Sequence, residues 1–353
     1  MNEFKRHIIC EKDVGLFSLI QQVIAHIPFA LANGAYPVAF FGNRCCYWTS
    51  NGYQAKTNVW EYYFEPLLNK PDKNIIEPEL SKHLINYPPD FKSKGYFWNT
   101  ETFVSNNFGH HKYFRAQALQ IPYKWKDPDT LTRQKAYRII QQYIRPRHYI
   151  TQKVNHFFEA YMQNQSVVGV HIRASDVSDL KTEYNLFRRY SYSPQNYIKA
   201  IENIRKRTPN TKFFVATDSR NALNLLIEKF PGQVIYYSSI FQTSDQVTGT
   251  GAMGWKMPAY LTHDSQNAAK NGEEAIIDYL LLSKCSYLIH NGSGLARTVL
   301  LNVPDMPHQN LHSFAKYLGK VLNPLSLEIF YLGRISLQKG LWRLIAIAKK
   351  IIR

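Results

Sequence analysis

The chain has 353 residues, of which 45% are hydrophobic and 14% aromatic, and this composition excludes a disordered protein. Its net charge of +17 indicates an anionic partner such as nucleic acid, an acidic membrane surface or a phosphorylated substrate. Residues 1–13 lack the apolar core of a secretory signal, and no apolar run of about 18 residues predicts a membrane-spanning helix. The four cysteines have no metal-ligand spacing. We therefore expect a cytoplasmic protein in a reducing compartment.

The first part of the chain begins with a strand, a turn, a helix and a second strand. Apolar spacing predicts a strand over 7–10, a helix over 16–31 and a strand over 37–41, with Gly15 in the first turn. Gly15 is either an ordinary turn residue or a point where a ligand approaches the backbone closely. The aromatic-rich segment 51–68 favours a place in the core over a sugar-stacking platform.

The remainder alternates between strands and helices. After two helices over 130–143 and 149–161, the pattern predicts strands over 167–172, 213–216, 234–237 and 287–290, helices over 194–207, 221–230, 273–282 and 295–301, and a long loop over 241–272. Such alternation is typical of an α/β protein with a doubly wound parallel sheet. We predict one domain over 1–150, a second over 151–312 and a tail over 313–353.

The tail predicts a basic amphipathic helix. Residues 334–353 contain six Lys or Arg and no acid, with apolar residues on one helical face and basic residues on another. Two interpretations stay open, because such a helix either lies on an anionic membrane or packs back on the first domain. The basic run Lys112–Lys153 is likewise either a solvated face or a surface for an anionic partner.

The segment Val167–Asp176, VVGVHIRASD, combines a predicted buried strand with polar residues at its end. His171, Arg173 and Asp176 follow the β-branched residues and lie at the carboxyl end of this strand. Ligands bind at that edge of open α/β sheets, and a guanidinium there holds phosphate through paired hydrogen bonds. Taken alone, the same pattern also describes a core strand with a surface ion pair.

Two further strand ends favour a ligand site. Thr217, Asp218 and Ser219 follow one strand, and Ser293 and Gly294 follow another and open a helix. The carboxyl ends of parallel strands meet at one edge, so these residues and Arg173 can share one ligand. Arg173 suits a pyrophosphate, Asp218 accepts the N–H groups of a guanine edge, and the helix start at Ser293 favours phosphate oxygens.

These motifs resemble the fucosyltransferase superfamily of α1,6-, α1,2- and protein O-fucosyltransferases, especially the bacterial nodulation-type α1,6 enzymes. The family motifs are an H-x-R strand end, an A-T-D strand end and a D-x-x-x-L-S … S … R helix–strand–helix. They correspond here to His171–Arg173, Ala216–Asp218, Asp278–Ser283, Ser293 and Arg297. The resemblance implies two Rossmann-like domains facing a cleft (the GT-B arrangement), GDP-fucose as donor, inversion at the anomeric carbon, and no metal or other cofactor.

The resemblance also implies roles for individual residues. Arg173 holds the β-phosphate and stabilises departing GDP, His171 contacts the nucleotide, and Asp218 binds guanine. Glu183, in the pair Thr182-Glu183, is the first candidate for the general base and Asp176 the second. The full implied substrate-binding set is Gly15, His171, Arg173, Thr217, Asp218, Ser219, Asp278, Ser293, Gly294 and Arg297.

One departure from the family pattern leaves the linkage and the donor sugar open. Several relatives carry a second arginine directly after the first, and Ala174 occupies that position here. The predicted function is transfer of fucose to a hydroxyl of a glycan acceptor, such as a bacterial surface-polysaccharide or lipid-linked oligosaccharide precursor. The alternatives are a transferase of another GDP-sugar and a basic non-catalytic binding protein of the same fold.

Two other classes are disfavoured. The chain has no recognisable nucleic-acid-binding module, so we expect no nucleic-acid partner and attribute the charge to peripheral contact with an anionic membrane. Asp127-Pro128-Asp129 has the bare Asp-x-Asp spacing of metal-dependent sugar transferases. No strand precedes it, so we interpret it as a turn and a helix start, and we predict no metal site.

Overall fold

The computed structural model of this chain describes residues 6–12, 14–68, 96–98, 102–105, 114–122, 127–173, 194–239 and 266–311. All of these belong to a single unit, Met1–Leu311. The predicted basic tail therefore lies outside the described residues. Among the described helices, none combines the length and the apolar character that crossing a membrane requires.

The first sheet has four strands. In spatial order they are β2 (Tyr36–Phe40), β1 (Arg6–Cys10), β4 (Thr102–Ser105) and β3 (Tyr96–Trp98). β1 runs parallel to β2 and β4, whereas β3 is antiparallel to β4. Helix α1 (Leu16–Ala32) connects β1 to β2, which confirms the predicted strand–helix–strand start. The sequence did not predict β3, β4 or the short helix α2 (Val59–Tyr63).

The second sheet has five parallel strands. In spatial order they are β7 (Val234–Ile235), β6 (Lys212–Thr217), β5 (Val167–Ile172), β8 (Tyr287–His290) and β9 (His308–Asn310). The helices of this part are α3 (Thr130–Tyr143), α4 (His148–Tyr161), α5 (Pro194–Arg207), α6 (Arg220–Lys229), α7 (Gln266–Leu282) and α8 (Gly294–Asn302). β5 lies between β6 and β8, so the three strands whose ends carry the polar motifs are neighbours.

The two faces of the second sheet pack against different partners. Val168, Val170 and Ile172 share a core cluster with α5 and α6. The opposite face carries Gly169 and His171 and joins a larger core that includes residues of α1, α2, α4, α7 and α8. A Cβ at Gly169 would lie 2.8 Å from Leu282 Cδ2 and 3.3 Å from Cys285 Sγ, so glycine favours the close packing of α7 on β5.

Helix α7 extends beyond the sheet and packs on the first part of the chain. It begins at Gln266, so the prediction of a loop as far as residue 272 was wrong for its last seven residues. The Tyr63 hydroxyl donates to the Ala269 carbonyl oxygen at 2.8 Å, and Gly272 lies against the Tyr63 ring. Tyr63 belongs to the predicted aromatic segment, in which Trp60, Tyr62, Tyr63 and Phe64 are all buried. The favoured prediction of a core role is therefore confirmed.

The predicted domain boundary at residue 150 falls inside α4, three residues from its start, with α3 directly before it. Both helices pack against elements of the second sheet: the Gln141 amide donates to Asn302 Oδ1 at 3.2 Å, and the Phe157 ring packs against Phe214. The division into two domains facing a cleft stays a prediction.

Candidate active site

Arg173 follows β5 directly, and a neighbouring strand end fixes its backbone. The Arg173 N–H donates to Asn291 Oδ1 at 3.3 Å, and the Asn291 amide donates back to the Arg173 carbonyl oxygen at 2.9 Å. Asn291 is the first residue after β8 and is buried. This two-way hydrogen bond links two adjacent strand ends. It fixes the point from which the arginine side chain extends.

The Arg173 side chain pairs with Asp218 at the end of β6. Arg173 Nη1 lies 3.0 Å from Asp218 Oδ2, and 40% of the arginine side chain is exposed against 12% for the aspartate. The ion pair orients the guanidinium along the carboxyl edge of the sheet. A guanidinium has five donors in a rigid plane, so pairing with Asp218 through Nη1 engages only part of its donor capacity.

His171 contacts the third strand end through Ser293. Its Nδ1 lies 3.2 Å from Ser293 Oγ, and its main-chain carbonyl accepts a hydrogen bond from the Tyr197 hydroxyl at 2.9 Å. Burial is the largest influence on this ring and lowers the pKa of His171 to about 4. The ring is therefore neutral near pH 7 and can accept the Ser293 hydroxyl proton at Nδ1.

The start of α8 is the phosphate-favouring element of this edge. Ser293 is its N-cap, and the serine oxygen accepts the Ala296 N–H at 3.2 Å. Gly292 before it has φ +71°, a left-handed conformation that favours glycine. A Cβ on Gly294 would lie 3.3 Å from Phe17 Cβ, so the first turn of α1 lies directly against the first turn of α8. Two helix starts, each with positive partial charge, therefore lie side by side.

The remaining predicted residues of this edge have structural partners. Thr217 Oγ1 accepts the Ser219 N–H at 3.2 Å, and the Ser219 oxygen caps α6 by accepting the Ala222 N–H at 3.3 Å. Gly15 precedes α1, and a Cβ added there would meet no atom of the described chain within 4 Å. Packing within the described part of the chain therefore does not require glycine at this position.

Comparisons with known proteins place this arrangement in a family. Residues 130–315 match the family model described as Nodulation protein Z (NodZ), which is more than half of the chain and includes every strand of the second sheet. The chain belongs to the NodZ family. The resemblance to the fucosyltransferase superfamily that the motifs indicated is thus confirmed. A comparison with curated protein sequences gives no significant match.

Solved structures that resemble this chain include two of NodZ and one of POFUT1. Fucosyltransferase NodZ from Bradyrhizobium is 16% identical, with a TM-score of 0.49, over 84% of this chain and 92% of that chain. NodZ α-1,6-fucosyltransferase soaked with GDP-fucose is 17% identical, with a TM-score of 0.48, over 84% and 92%. POFUT1 in complex with GDP-fucose is 12% identical, with a TM-score of 0.50, over 87% and 97%. The last of these supports a shared fold.

Two of the predicted binding residues of this NodZ-family chain, Asp278 and Arg297, contact residues outside this edge of the sheet. Asp278, on α7, accepts the Ser238 hydroxyl at 2.6 Å, and burial raises the pKa of its carboxyl to about 8. It is therefore largely protonated near pH 7. Arg297, on α8, donates to the Pro122 carbonyl oxygen and is 3% exposed. These contacts tie α7 and α8 to neighbouring segments. They differ from those that join Arg173, Asp218, His171 and Ser293.

Three residues named in the sequence analysis lie outside the described part of the chain. Asp176 and Glu183, the candidate bases, and Ala174 lie in the interval 174–193, outside the described residues. Asn291, by contrast, is a site residue that the sequence did not single out. The available signal was its position, because it directly follows a buried strand next to the motif strand.

A second polar cluster lies behind the turn between β8 and α8. Asp127, His290 and His308 each offer one ligand atom, and these atoms lie within 4.8 Å of one another, which is metal-like spacing. The outer ring nitrogens face N–H groups: Gly292 N–H donates to His290 Nδ1 at 3.0 Å, and Arg133 Nη2 lies 2.7 Å from His308 Nε2. Metal-bound imidazoles instead carry a proton on the outer nitrogen and donate it. This donor set does not suit a metal ion.

The same cluster corrects the interpretation of Asp127-Pro128-Asp129. Asp129 is the N-cap of α3 and accepts the Thr132 N–H at 2.8 Å, so the predicted helix start is confirmed. Asp127 is not only a turn residue. Its two oxygens accept from the Asn310 amide at 3.1 and 3.2 Å and face the two histidines.

Proposed function

We propose that this protein is an inverting, metal-independent glycosyltransferase that moves fucose from GDP-fucose to a hydroxyl of a glycan acceptor. The observation that carries the proposal is the contact set around Arg173, which joins the ends of three neighbouring strands beside the start of α8. This set lies inside the residues that match NodZ. Related structures are described as a fucosyltransferase soaked with GDP-fucose and as POFUT1 in complex with GDP-fucose.

The charges of the site fit the leaving group of such a reaction. As the bond from the sugar C1 to GDP breaks, negative charge grows on the β-phosphate. The exposed part of the Arg173 guanidinium and the first amides of α8 are donors that can stabilise this charge without a metal. Asp218 orients Arg173 in the described structure, and its oxygens suit the N–H groups of guanine.

The acceptor hydroxyl needs a base on the face of the sugar opposite to GDP. We assign this role to Glu183, with Asp176 as the second candidate, because the Thr182-Glu183 pair resembles the family pattern. Gly15, Thr217, Ser219, Asp278 and Arg297 remain proposed donor contacts that the same resemblance implies.

We further propose that the acceptor is a surface-polysaccharide or lipid-linked precursor at the inner face of a bacterial membrane. The basic run Lys112–Lys153 and the six Lys or Arg of residues 334–353 suit peripheral contact with anionic lipid. All four cysteines are buried free thiols, which is compatible with a cytoplasmic location.

A different GDP-sugar is the second candidate donor. The observation that favours it is Ala174, because several relatives have a second arginine at this position. Without a second arginine at position 174, another group must contact the pyrophosphate on the side of the sugar. The proposed contacts of Asp218 with guanine and of Arg173 with phosphate do not depend on that position.

The proposal is tested by GDP release from GDP-fucose and from GDP-mannose, with a panel of lipid-linked and free glycans, in EDTA. We expect an acceptor to stimulate GDP release from GDP-fucose and EDTA to leave the rate unchanged. Faster release from GDP-mannose would favour the second candidate. Release that requires an added divalent cation would contradict metal independence, and release from neither donor would contradict a transferase.

A further inference from the structure

Arg44 and Glu11 form an ion pair at the carboxyl edge of the first sheet. Glu11 is the first residue after β1, and Arg44 lies in the turn that follows β2. Arg44 Nε is 3.4 Å from Glu11 Oε1, and 44% of the arginine side chain is exposed against 2% for the glutamate. Two neighbouring strand ends therefore place a half-exposed guanidinium on a buried carboxylate.

The pair has the same arrangement as Arg173 and Asp218 at the edge of the second sheet. In both pairs the acid and the arginine follow neighbouring parallel strands, and the arginine is the exposed partner. Each sheet thus has an oriented guanidinium at the edge where open α/β sheets bind ligands.

The surroundings of Glu11 fit a role in orienting Arg44. Within the part of the chain that the structure describes, Glu11 Oε2 has no hydrogen-bond donor, whereas Oε1 accepts from Arg44 Nε. A buried carboxylate with so few partners costs free energy, so the pair adds little to stability. Its charge instead restricts where the guanidinium can lie. The guanidinium is a rigid fork of N–H groups that suits phosphate, and the contact through Nε engages only part of it.

Two consecutive glutamines of α1 join this edge to the start of α8. Gln22 Nε2 donates to the carbonyl oxygen of Cys10, the residue before Glu11, at 2.8 Å. Gln21 Nε2 donates to the Gly294 carbonyl oxygen at 2.8 Å. Both glutamines are buried, so these contacts are shielded from water. The end of β1 and the phosphate-favouring start of α8 are therefore tied to the same turn of α1.

The start of α1 leaves room for a ligand beside these contacts. Its N-cap, Gly15, is exposed, and no side chain caps the helix. A Cβ added to Gly15 would meet no atom of the described chain within 4 Å. A donor whose phosphates bind at the start of α8 can therefore extend past the start of α1 toward Arg44.

We propose that Arg44 is a second phosphate-binding arginine of the donor site, oriented by Glu11, which contacts the β-phosphate from the side of the first sheet. It stands in for the arginine that several relatives carry directly after the first and that Ala174 replaces here. The diphosphate of GDP carries more negative charge than one guanidinium neutralises, so a second cation stabilises it further. The inference rests on the proposed function in taking a GDP-sugar as the donor.

Calorimetry in EDTA compares GDP with GMP, because GMP lacks the β-phosphate. In Arg44→Ala we expect a loss of about tenfold in GDP affinity, equal to about 1.4 kcal/mol, and an unchanged GMP affinity. Arg44→Lys keeps the charge but not the fork, so it should lose about threefold for GDP. Lys56→Ala is the matched control, because Lys56 is a comparably exposed cation that pairs with Glu61 of α2 and follows no strand. It should leave both affinities unchanged.

Two further variants test the roles of Glu11 and of position 174. Glu11→Gln should weaken GDP binding by about threefold alone and not at all when combined with Arg44→Ala, since Glu11 acts only through the arginine. Ala174→Arg in the Arg44→Ala background should restore GDP affinity to within about twofold of the wild type. If Glu11→Gln does not fold, the variants of the exposed Arg44 still decide the proposal.

An unchanged GDP affinity in Arg44→Ala, or equal losses for GDP and GMP, would overturn the assignment of Arg44 to the β-phosphate. Equal losses for Glu11→Gln in the two backgrounds would overturn its positioning role. A loss that Ala174→Arg does not restore would show that Arg44 does not replace the missing arginine. Wild-type protein that binds neither nucleotide would instead count against the proposed function.

Discussion

Gly272→Ala should destabilise the protein, although alanine is the better helix former. Gly272 lies inside α7, where replacing glycine by alanine normally stabilises a helix by about 1 kcal/mol. Here an added Cβ would lie 2.2 Å from the Tyr63 hydroxyl oxygen, 2.7 Å from its Cζ and 3.0 Å from Tyr47 Cδ1. The Tyr63 ring must therefore move by more than an ångström, because ordinary contacts are about 3.5 Å or longer.

The magnitude follows from what the ring loses when it moves. Overpacking a buried site costs about 1–3 kcal/mol. Tyr63 also loses its 2.8 Å hydrogen bond to the Ala269 carbonyl oxygen, which contributes about 1 kcal/mol. Set against the helix propensity of alanine, the net loss in the free energy of unfolding is about 2 kcal/mol.

Urea unfolding followed by tryptophan fluorescence measures this loss, because the buried Trp60 stacks on Phe64 next to the interface. The matched control is Gly272→Ala in a Tyr63→Phe background, where the nearest clashing atom is absent and the hydrogen bond is already lost. The substitution should cost about 1 kcal/mol less there. A neutral or stabilising Gly272→Ala, or equal costs in the two backgrounds, would refute the packing of α7 on the first part of the chain.

The other predictions concern pH, the strand-end clamp and the base. Burial lowers the pKa of His7 and His171, so below about pH 6.5 the unfolded chain binds more protons, and each ring should reduce stability by about 1.4 kcal/mol per pH unit. The Asp278 carboxyl, whose pKa is raised to about 8, offsets one ring because it holds its proton only in the folded state over this range. Stability should therefore still fall from about pH 6.5 to about pH 5, and a flat urea-unfolding profile would contradict this. Asn291→Ala should release the Arg173 backbone and weaken GDP binding by about fivefold in calorimetry, with unchanged affinity counting against the clamp. Glu183→Gln should abolish transfer while GDP affinity stays the same, and normal transfer rates would move the base to Asp176 or elsewhere.

The second sheet was the most predictable part of the fold. The predicted bounds of 130–143, 167–172, 194–207 and 287–290 agree with α3, β5, α5 and β8. These segments have strong local signals, such as the Asp129 cap and the β-branched run of β5. Strands β3 and β9 have only three residues each, too few for a period to show, and their neighbours in the sheets define them.

Helix α7 shows where tertiary packing overrides local signals. Its first turns read QNAAKNG, and the polar residues and the glycine predicted a loop. Gly272 is present because Tyr63 from a distant segment packs against it, a contact that no local pattern contains. The predicted helix consequently began seven residues too late.

The part of the candidate site that lies at the strand ends was predictable from the order of the strands. Since neighbouring parallel strands end at one edge, Arg173, Asp218 and Ser293 were expected along the same edge. In the structure Arg173 pairs with Asp218, and Ser293 contacts His171. The position of Asp127 was not predictable. Asp127 reaches β8 and β9 through a loop whose path depends on the packing of α3.

Calorimetric titration of GDP in EDTA tests the central claim most directly, namely that Arg173 holds the donor phosphates. Wild-type protein and the exposed-arginine control Arg138→Ala should bind GDP with similar affinity. Arg173→Ala should lose at least about 2 kcal/mol, or roughly 30-fold, since a charge-assisted phosphate contact is removed and Asp218 is left near the ligand. No GDP binding by the wild-type protein, or unchanged affinity in Arg173→Ala, would contradict the claim.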